Sequence, residues 1–195
     1  MTSSGPDLEA RAVAAVLADP VCVAILERMP SLGLSEWWLT AGAVFQNVWN
    51  LVEGRAPGCG IRDYDVFYFD ASDLSWEAEN AVIEEAAALF ADVPARVEVR
   101  NEARVHLWYE DKFGTPAAPF TSAADAIDAF ASTTCCIGIT RAQGPIHVYA
   151  PFGLDDVLAM HMRPNRRLAP QSVYDTKVAQ YQQRWPALTS DPWRG

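Results

Sequence analysis

The run Val66, Phe67, Tyr68 and Phe69 most narrows what this chain can become, because four bulky apolar residues in a row call for burial inside a sheet. Two carboxylates, Asp63 and Asp65, stand at its entrance, directly after the loop "GRAPGCGIR", whose three glycines and proline suit neither helix nor strand. Residues i and i+2 of a strand face the same side, about 6.5 to 7 Å apart. Asp63 and Asp65 therefore project together, and Tyr64 points the other way. Charge at the mouth of an apolar strand is poorly placed unless something positive is held there. The plainer reading makes them solvated loop carboxylates, since Asp-x-Asp is common by chance.

The flanking segments supply the rest of a sheet. Residues 7–28 carry Leu8, Val13, Val16, Leu17, Val21, Ile25 and Leu26 at helical steps, and Pro20 splits them into two short helices. Residues 36–42 read as a strand running into Gly42, and Val44, Val48, Leu51 and Val52 then mark a helix that ends at Gly54. Residues 70–93 read as a helix capped by Ser72 or Asp73. In residues 95–101, Val97 and Val99 share one strand face and Glu98 takes the other. Paired beside Asp63 and Asp65, that strand adds Glu98 as a third carboxylate, whereas a slip of one residue favours Glu102. Residues 105–114 are a strand end or short helix, and 121–132 a helix opened by Thr121 or Ser122. Residues 134–151 form a hairpin turning near Gln143 and Gly144, and 153–165 and 172–188 are two further helices.

This order predicts an α+β (mixed α/β) fold, a mixed sheet flanked by helices. The 195 residues are expected to form a single domain, with N-terminal helices in 1–30, a core in 31–150 and C-terminal helices in 151–195. The formal net charge of −10 opposes nonspecific binding of long nucleic acid or of an acidic membrane. Arg163, Arg166, Arg167, Lys177 and Arg184 either build a local basic face or are simply solvated. No apolar run reaches the length of a membrane span, and charged residues interrupt the N-terminal segment where a signal peptide needs an apolar core, so a cytoplasmic location is expected. Cys22, Cys59, Cys135 and Cys136 contain no Cys-x-x-Cys, and His106, His147 and His161 are scattered, which disfavours a zinc site.

In order along the chain, "WWLTAGAVFQNVWN", "GIRDYDVFYFD", "VEVRNEARVHLWYEDKFG" and "APFGLDDVLAMHMRPN" resemble the bacterial nucleotidyltransferase-like family of the DNA polymerase beta superfamily, over roughly residues 37–185. The resemblance implies that Gly42 and the helix start at Ala43 lie at nucleotide phosphates. It also implies that Asp63, Asp65 and Glu98 hold Mg²⁺ or Mn²⁺, with Glu98 as ligand or base. The superfamily's turn usually follows its glycine with glycine or serine, whereas here Ala43 follows Gly42, so Thr40, Gln46 or Asn47 must replace the missing hydroxyl. Arg104 either neutralises triphosphate charge or pairs with a nearby glutamate. Trp37, Trp38, Phe45 and Trp49 read as core. The implied reaction moves a nucleoside monophosphate from a nucleoside triphosphate to an unidentified hydroxyl. The alternatives are a nucleotide-binding or protein-interaction module without catalysis, and a metal-dependent phosphohydrolase.

Overall fold

Helices α1 (Gly5–Leu17) and α2 (Pro20–Arg28) divide where the proline requires. Asp19 caps α2 by accepting the Val21 N–H at 2.9 Å, and Pro20 occupies its first turn. The structure, a computed structural model, describes residues 5–142 and 144–194, so Gln143 of the expected hairpin turn lies outside the described residues. Next come β1 (Trp37–Thr40), α3 (Gly42–Glu53) and β2 (Asp63–Tyr68), with Gly54 closing α3 in a left-handed conformation at φ 68°.

Helix α4 (Trp76–Leu89) starts later than its composition suggests, and its cap is Ser75 rather than Ser72 or Asp73. Asp70 accepts the Ser72 N–H and Asp73 accepts the Ser75 N–H, each at 2.8 Å. Both side chains hold the backbone in turns that compete with helix until Ser75 takes over. Strand β3 (Arg96–Asn101) passes into a 3-10 turn (Glu102–Leu107), then α5 (Tyr109–Phe113) and α6 (Ala123–Ile127), the last capped by Ser122. The hairpin strands are β4 (Gly138–Thr140) and β5 (His147–Tyr149). Where one helix was expected in 153–165, α7 (Asp155–Leu158) is a single turn followed by β6 (His161–Met162), because Met160 takes a positive φ of 51° that no right-handed helix tolerates. Helix α8 (Gln171–Arg184) and β7 (Thr189–Ser190) follow, with β6 and β7 paired in parallel.

The main sheet has the order β3-β2-β1-β4-β5. Strands β2 and β3 run parallel, as the α4 crossover requires, and the other pairs are antiparallel. This is an α+β fold with a five-stranded mixed sheet and flanking helices. Leu39, Tyr64, Val66, Tyr68 and Val99 belong to one continuous core with Leu8, Ile25, Phe45 and Trp49 of the first three helices. Trp37, Phe45 and Trp49 are at most 1% exposed, so these aromatics are core. Trp49 also stacks edge-on against Tyr181 and Trp185, at centroid distances of 5.6 and 5.5 Å, which ties α8 to α3. The Trp185 indole donates to Asn50 Oδ1 at 3.0 Å across the same contact.

Candidate functional site

Along β2, Tyr64, Val66 and Tyr68 are buried while Asp63, Asp65 and Phe67 alternate with them on the other face. The parallel register sets Asp65 opposite Glu98 and Phe67 opposite Arg100. Arg96 and Arg100 flank Glu98, at 2.8 and 3.6 Å from its carboxylate. Immediately after β3, the first residue of the 3-10 turn is Glu102, a carboxylate only 5% exposed. A cavity of about 660 Å³ opens over this face, and Ala41, Asp65, Glu98, Glu102, Arg104, Lys177 and Tyr181 are among its lining residues. That volume suits a nucleotide-sized ligand.

The electrostatics of the floor are unbalanced. Burial pushes the Asp65 carboxyl up to about 7, reinforced by the charges of Asp63 and Glu98, while Lys177 and Arg100 oppose the shift. Burial lifts Glu102 to about 8, reinforced by Asp65 and opposed by Arg100. Among the described residues, no hydrogen bond or ion pair engages either carboxylate. Buried carboxylates left in this state favour a bound cation or a proton.

Of the residues singled out in the sequence, Asp65, Glu98 and Arg104 meet in the cavity, and Asp63 shares the floor's strand face with Arg96 as its cross-strand partner. Glu102 lines the same cavity as Glu98, so both carboxylates that competed for third place are present. The Arg104 guanidinium is bound to Glu79 and donates from Nε to the Leu74 carbonyl at 3.0 Å, and Glu79 also accepts the Asn101 N–H at 3.0 Å. Its charge is thus matched by a largely buried glutamate rather than by one on the surface.

At the turn, Ala41 lines the cavity and carries the unusual backbone, φ 52° and ψ −136°. No side chain caps α3, although Gly42 and Ala43 at its start are buried and only Ala41 of this turn lines the cavity. A Cβ at Gly42 would stand 2.3 Å from Gln46 Nε2, because the Gln46 side chain folds back over it, so the end of that side chain would have to shift to admit a larger residue. Gln46 Oε1 is buried with no partner among the described residues. Asn47 turns away from the cavity, donating to Asp19 at 3.0 Å and to the Ala43 carbonyl at 2.9 Å while accepting the Gly58 N–H at 2.8 Å. Ala43 is fully buried, and the Thr40 hydroxyl is committed to the Ile137 carbonyl at 2.6 Å.

The suspected basic face disperses. Arg163 pairs with Asp156 and Asp191, Arg167 with Asp125, and Arg166 lies over Trp193. Lys177 alone of that group reaches the cavity. Its role was open to discovery from spacing, because Tyr174 and Tyr181 mark the buried stripe of α8 and position 177 lies three and four residues from them. Trp76, Trp108 and Lys112 also line the cavity and had no periodic signal to reveal them.

Asp63, Asp65, Glu98 and Glu102 offer hard oxygen donors of the kind Mg²⁺ and Mn²⁺ prefer, and the burial that lifts Asp65 and Glu102, reinforced by their negative neighbours, is a cost a bound cation would offset. As the side chains stand, no three His, Cys, Asp or Glu groups among the described residues converge into a metal-holding set. The donor chemistry fits a divalent ion, while the side chains do not converge on one position.

A family model described as Nucleotidyltransferase matches residues 27–190. Among curated proteins, none matches the chain. A structure solved by NMR, described as revealing a CCA-adding enzyme head domain, superposes with a TM-score of 0.73 and 26% identity, over 93% of this chain and 94% of its own.

Proposed function

Because the chain belongs to the nucleotidyltransferase family, we propose that it transfers a nucleoside monophosphate from a nucleoside triphosphate to a hydroxyl acceptor in the cavity above β2 and β3, the acceptor oxygen bonding the α-phosphorus as pyrophosphate leaves. The observation that carries this reading is the carboxylate floor: Asp65, Glu98 and Glu102 on one cavity wall, two of them buried without a partner among the described residues.

Asp63, Asp65 and Glu98 would hold Mg²⁺ or Mn²⁺, with Glu102 as a further donor. When bound, such an ion polarises the α-phosphate and lowers the pKa of the acceptor hydroxyl. The protein's own groups do the rest. The uncapped start of α3 behind Ala41 and Gly42 receives phosphate oxygens. Lys177 from α8 and Arg100 from β3 both oppose the negative charge at Asp65, and so offset the repulsion a triphosphate would meet from the carboxylates. Glu102, when protonated, donates a hydrogen bond; when ionised, it accepts the acceptor's proton. The solved structure described as a CCA-adding enzyme head domain makes CTP and ATP the first donors to try.

Thermal unfolding with each ribonucleoside triphosphate, with and without Mg²⁺ or Mn²⁺, tests binding. A ligand at 100 times its dissociation constant stabilises by about 2.7 kcal/mol. Stabilisation that needs the metal and is lost in the Asp63→Asn, Asp65→Asn double variant supports the site. Transfer of α-labelled nucleotide to a pool of hydroxyl acceptors should fall about a thousandfold or more in Asp65→Asn. Pyrophosphate release without any labelled acceptor points to a phosphohydrolase instead. Binding without product points to a module that holds nucleotide and does no chemistry.

A further inference from the structure

The carboxylate floor leaves the other end of the cavity unexplained. Trp76 and Trp108 line it, yet they are 52% and 41% exposed, far more than tryptophans that serve only to pack. Trp76 opens α4 after β2, and Trp108 follows the 3-10 turn after β3, so both sit beyond the finishing ends of the two strands that carry Asp65 and Glu98. Each ring is faced by a cation: the Arg104 guanidinium lies 5.6 Å from the Trp76 centroid, and the Lys112 ammonium 5.3 Å from that of Trp108. Arg104 is held by Glu79 and the Leu74 carbonyl, which fixes its position over Trp76. Phe67 and Phe130, in ring contact at 5.5 Å, continue the apolar wall back towards Asp65.

We propose that Trp76 and Trp108 form a stacking clamp for a nucleobase, with Lys112 at its rim to meet an attached phosphate. The proposal rests on the nucleotide-transfer reading and assigns the residues that hold the ligand's ring. Three observations select this chemistry. Exposed indoles offer flat π surfaces on which any base stacks. Cations already facing both rings disfavour a cationic ligand and favour an anionic one. In a chain of net charge −10, Lys112 beside the exposed Trp108 ring has no ion pair among the described residues, so its charge is available to a ring that carries phosphate.

The base belongs either to the triphosphate donor or to the end of an oligonucleotide acceptor. Calorimetric titration in Mg²⁺ separates these sources, using ATP, CTP, inorganic tripolyphosphate and a single-stranded ribotrinucleotide. The proteins are wild type, Trp76→Ala, Trp108→Ala and Trp108→Phe. The alanine variants are expected to weaken a base-bearing ligand about tenfold while tripolyphosphate binds as to wild type, and Trp108→Phe recovers most of the loss. Loss for ATP or CTP assigns the clamp to the donor. Loss for the trinucleotide alone assigns it to the acceptor. Unchanged affinity for all base-bearing ligands, or an equal loss for tripolyphosphate, overturns the clamp while nucleotide binding by wild type leaves the transfer reading intact. Wild type that binds no nucleotide at millimolar concentration overturns both.

Discussion

Tyr64 and Asp65 are neighbours on β2, yet they lead to two buried carboxylate sites wired in opposite ways. Behind Tyr64 lies Asp19, 1% exposed, which accepts hydrogen bonds from Val21 N–H at 2.9 Å, Asn47 Nδ2 at 3.0 Å and the Tyr64 hydroxyl at 2.8 Å. In front of Asp65 lies Glu102, almost as buried, with no hydrogen bond or ion pair among the described residues and with Asp65 as a like charge. The first arrangement stitches α2, α3 and β2 together. The second leaves negative charge uncompensated at a cavity wall. Burial alone therefore does not mark a functional carboxylate; what separates the two is whether the fold itself satisfies the charge.

The contrast breaks most readily at Asp19. Asp19→Ala removes a helix cap and strands a buried hydroxyl and amide, so it should lower unfolding free energy by about 3 kcal/mol in chemical denaturation. Asp65→Asn should cost nothing, or stabilise, at pH 8. Equal losses in the two variants would erase the distinction.

A smaller effect sharpens it at Glu102. Folding lifts this carboxyl from an ordinary 4.5 to about 8, so between those values the folded protein keeps a proton that the unfolded chain releases. Stability in the absence of divalent ions should then fall as pH rises through that window, with the penalty complete above about 8. Glu102→Gln carries no titrating group there. Its stability should exceed that of wild type by at least about 2 kcal/mol at pH 8 and match it only below about pH 4.5. Parallel melting curves across this range would mean that water already solvates the carboxylate.

The smallest change concerns Ala41, whose φ of 52° with ψ of −136° suits glycine. Ala41→Gly should relieve strain and raise stability by about 1 kcal/mol after the entropic cost of glycine. A fall in melting temperature would show that the methyl group packs usefully against the cavity.

What was legible in the sequence followed from period and from breakers. Alternation in residues 95–101 put Glu98 on the face away from Val97 and Val99, and β3 has that register beside Asp65. Gly42 announced a tight turn, but the residue with the unusual backbone is Ala41, and alanine gives no warning of a positive φ. Asn47 stood near the turn in linear order, and yet the rotation of α3 carries it to Asp19, a partner 28 residues earlier. Glu79, which matches Arg104, lies 25 residues before it on a different helix, so that pairing had no local signature. The clamp tryptophans had no local signature either: Trp76 is the first residue of α4 and Trp108 stands between the 3-10 turn and α5, at element ends where a period has not yet set in.

Lys177 and Tyr181 wall the cavity from α8, which follows β2 and β3 in the chain, while its floor comes from those two strands. During synthesis the chain emerges amino end first. The acidic platform is therefore available long before its basic and aromatic roof, and a polypeptide halted before α8 has carboxylates but neither Lys177 nor the Trp49–Tyr181–Trp185 contact that seats the helix. A chain cut before α8 therefore keeps the carboxylate floor and loses the wall that faces it.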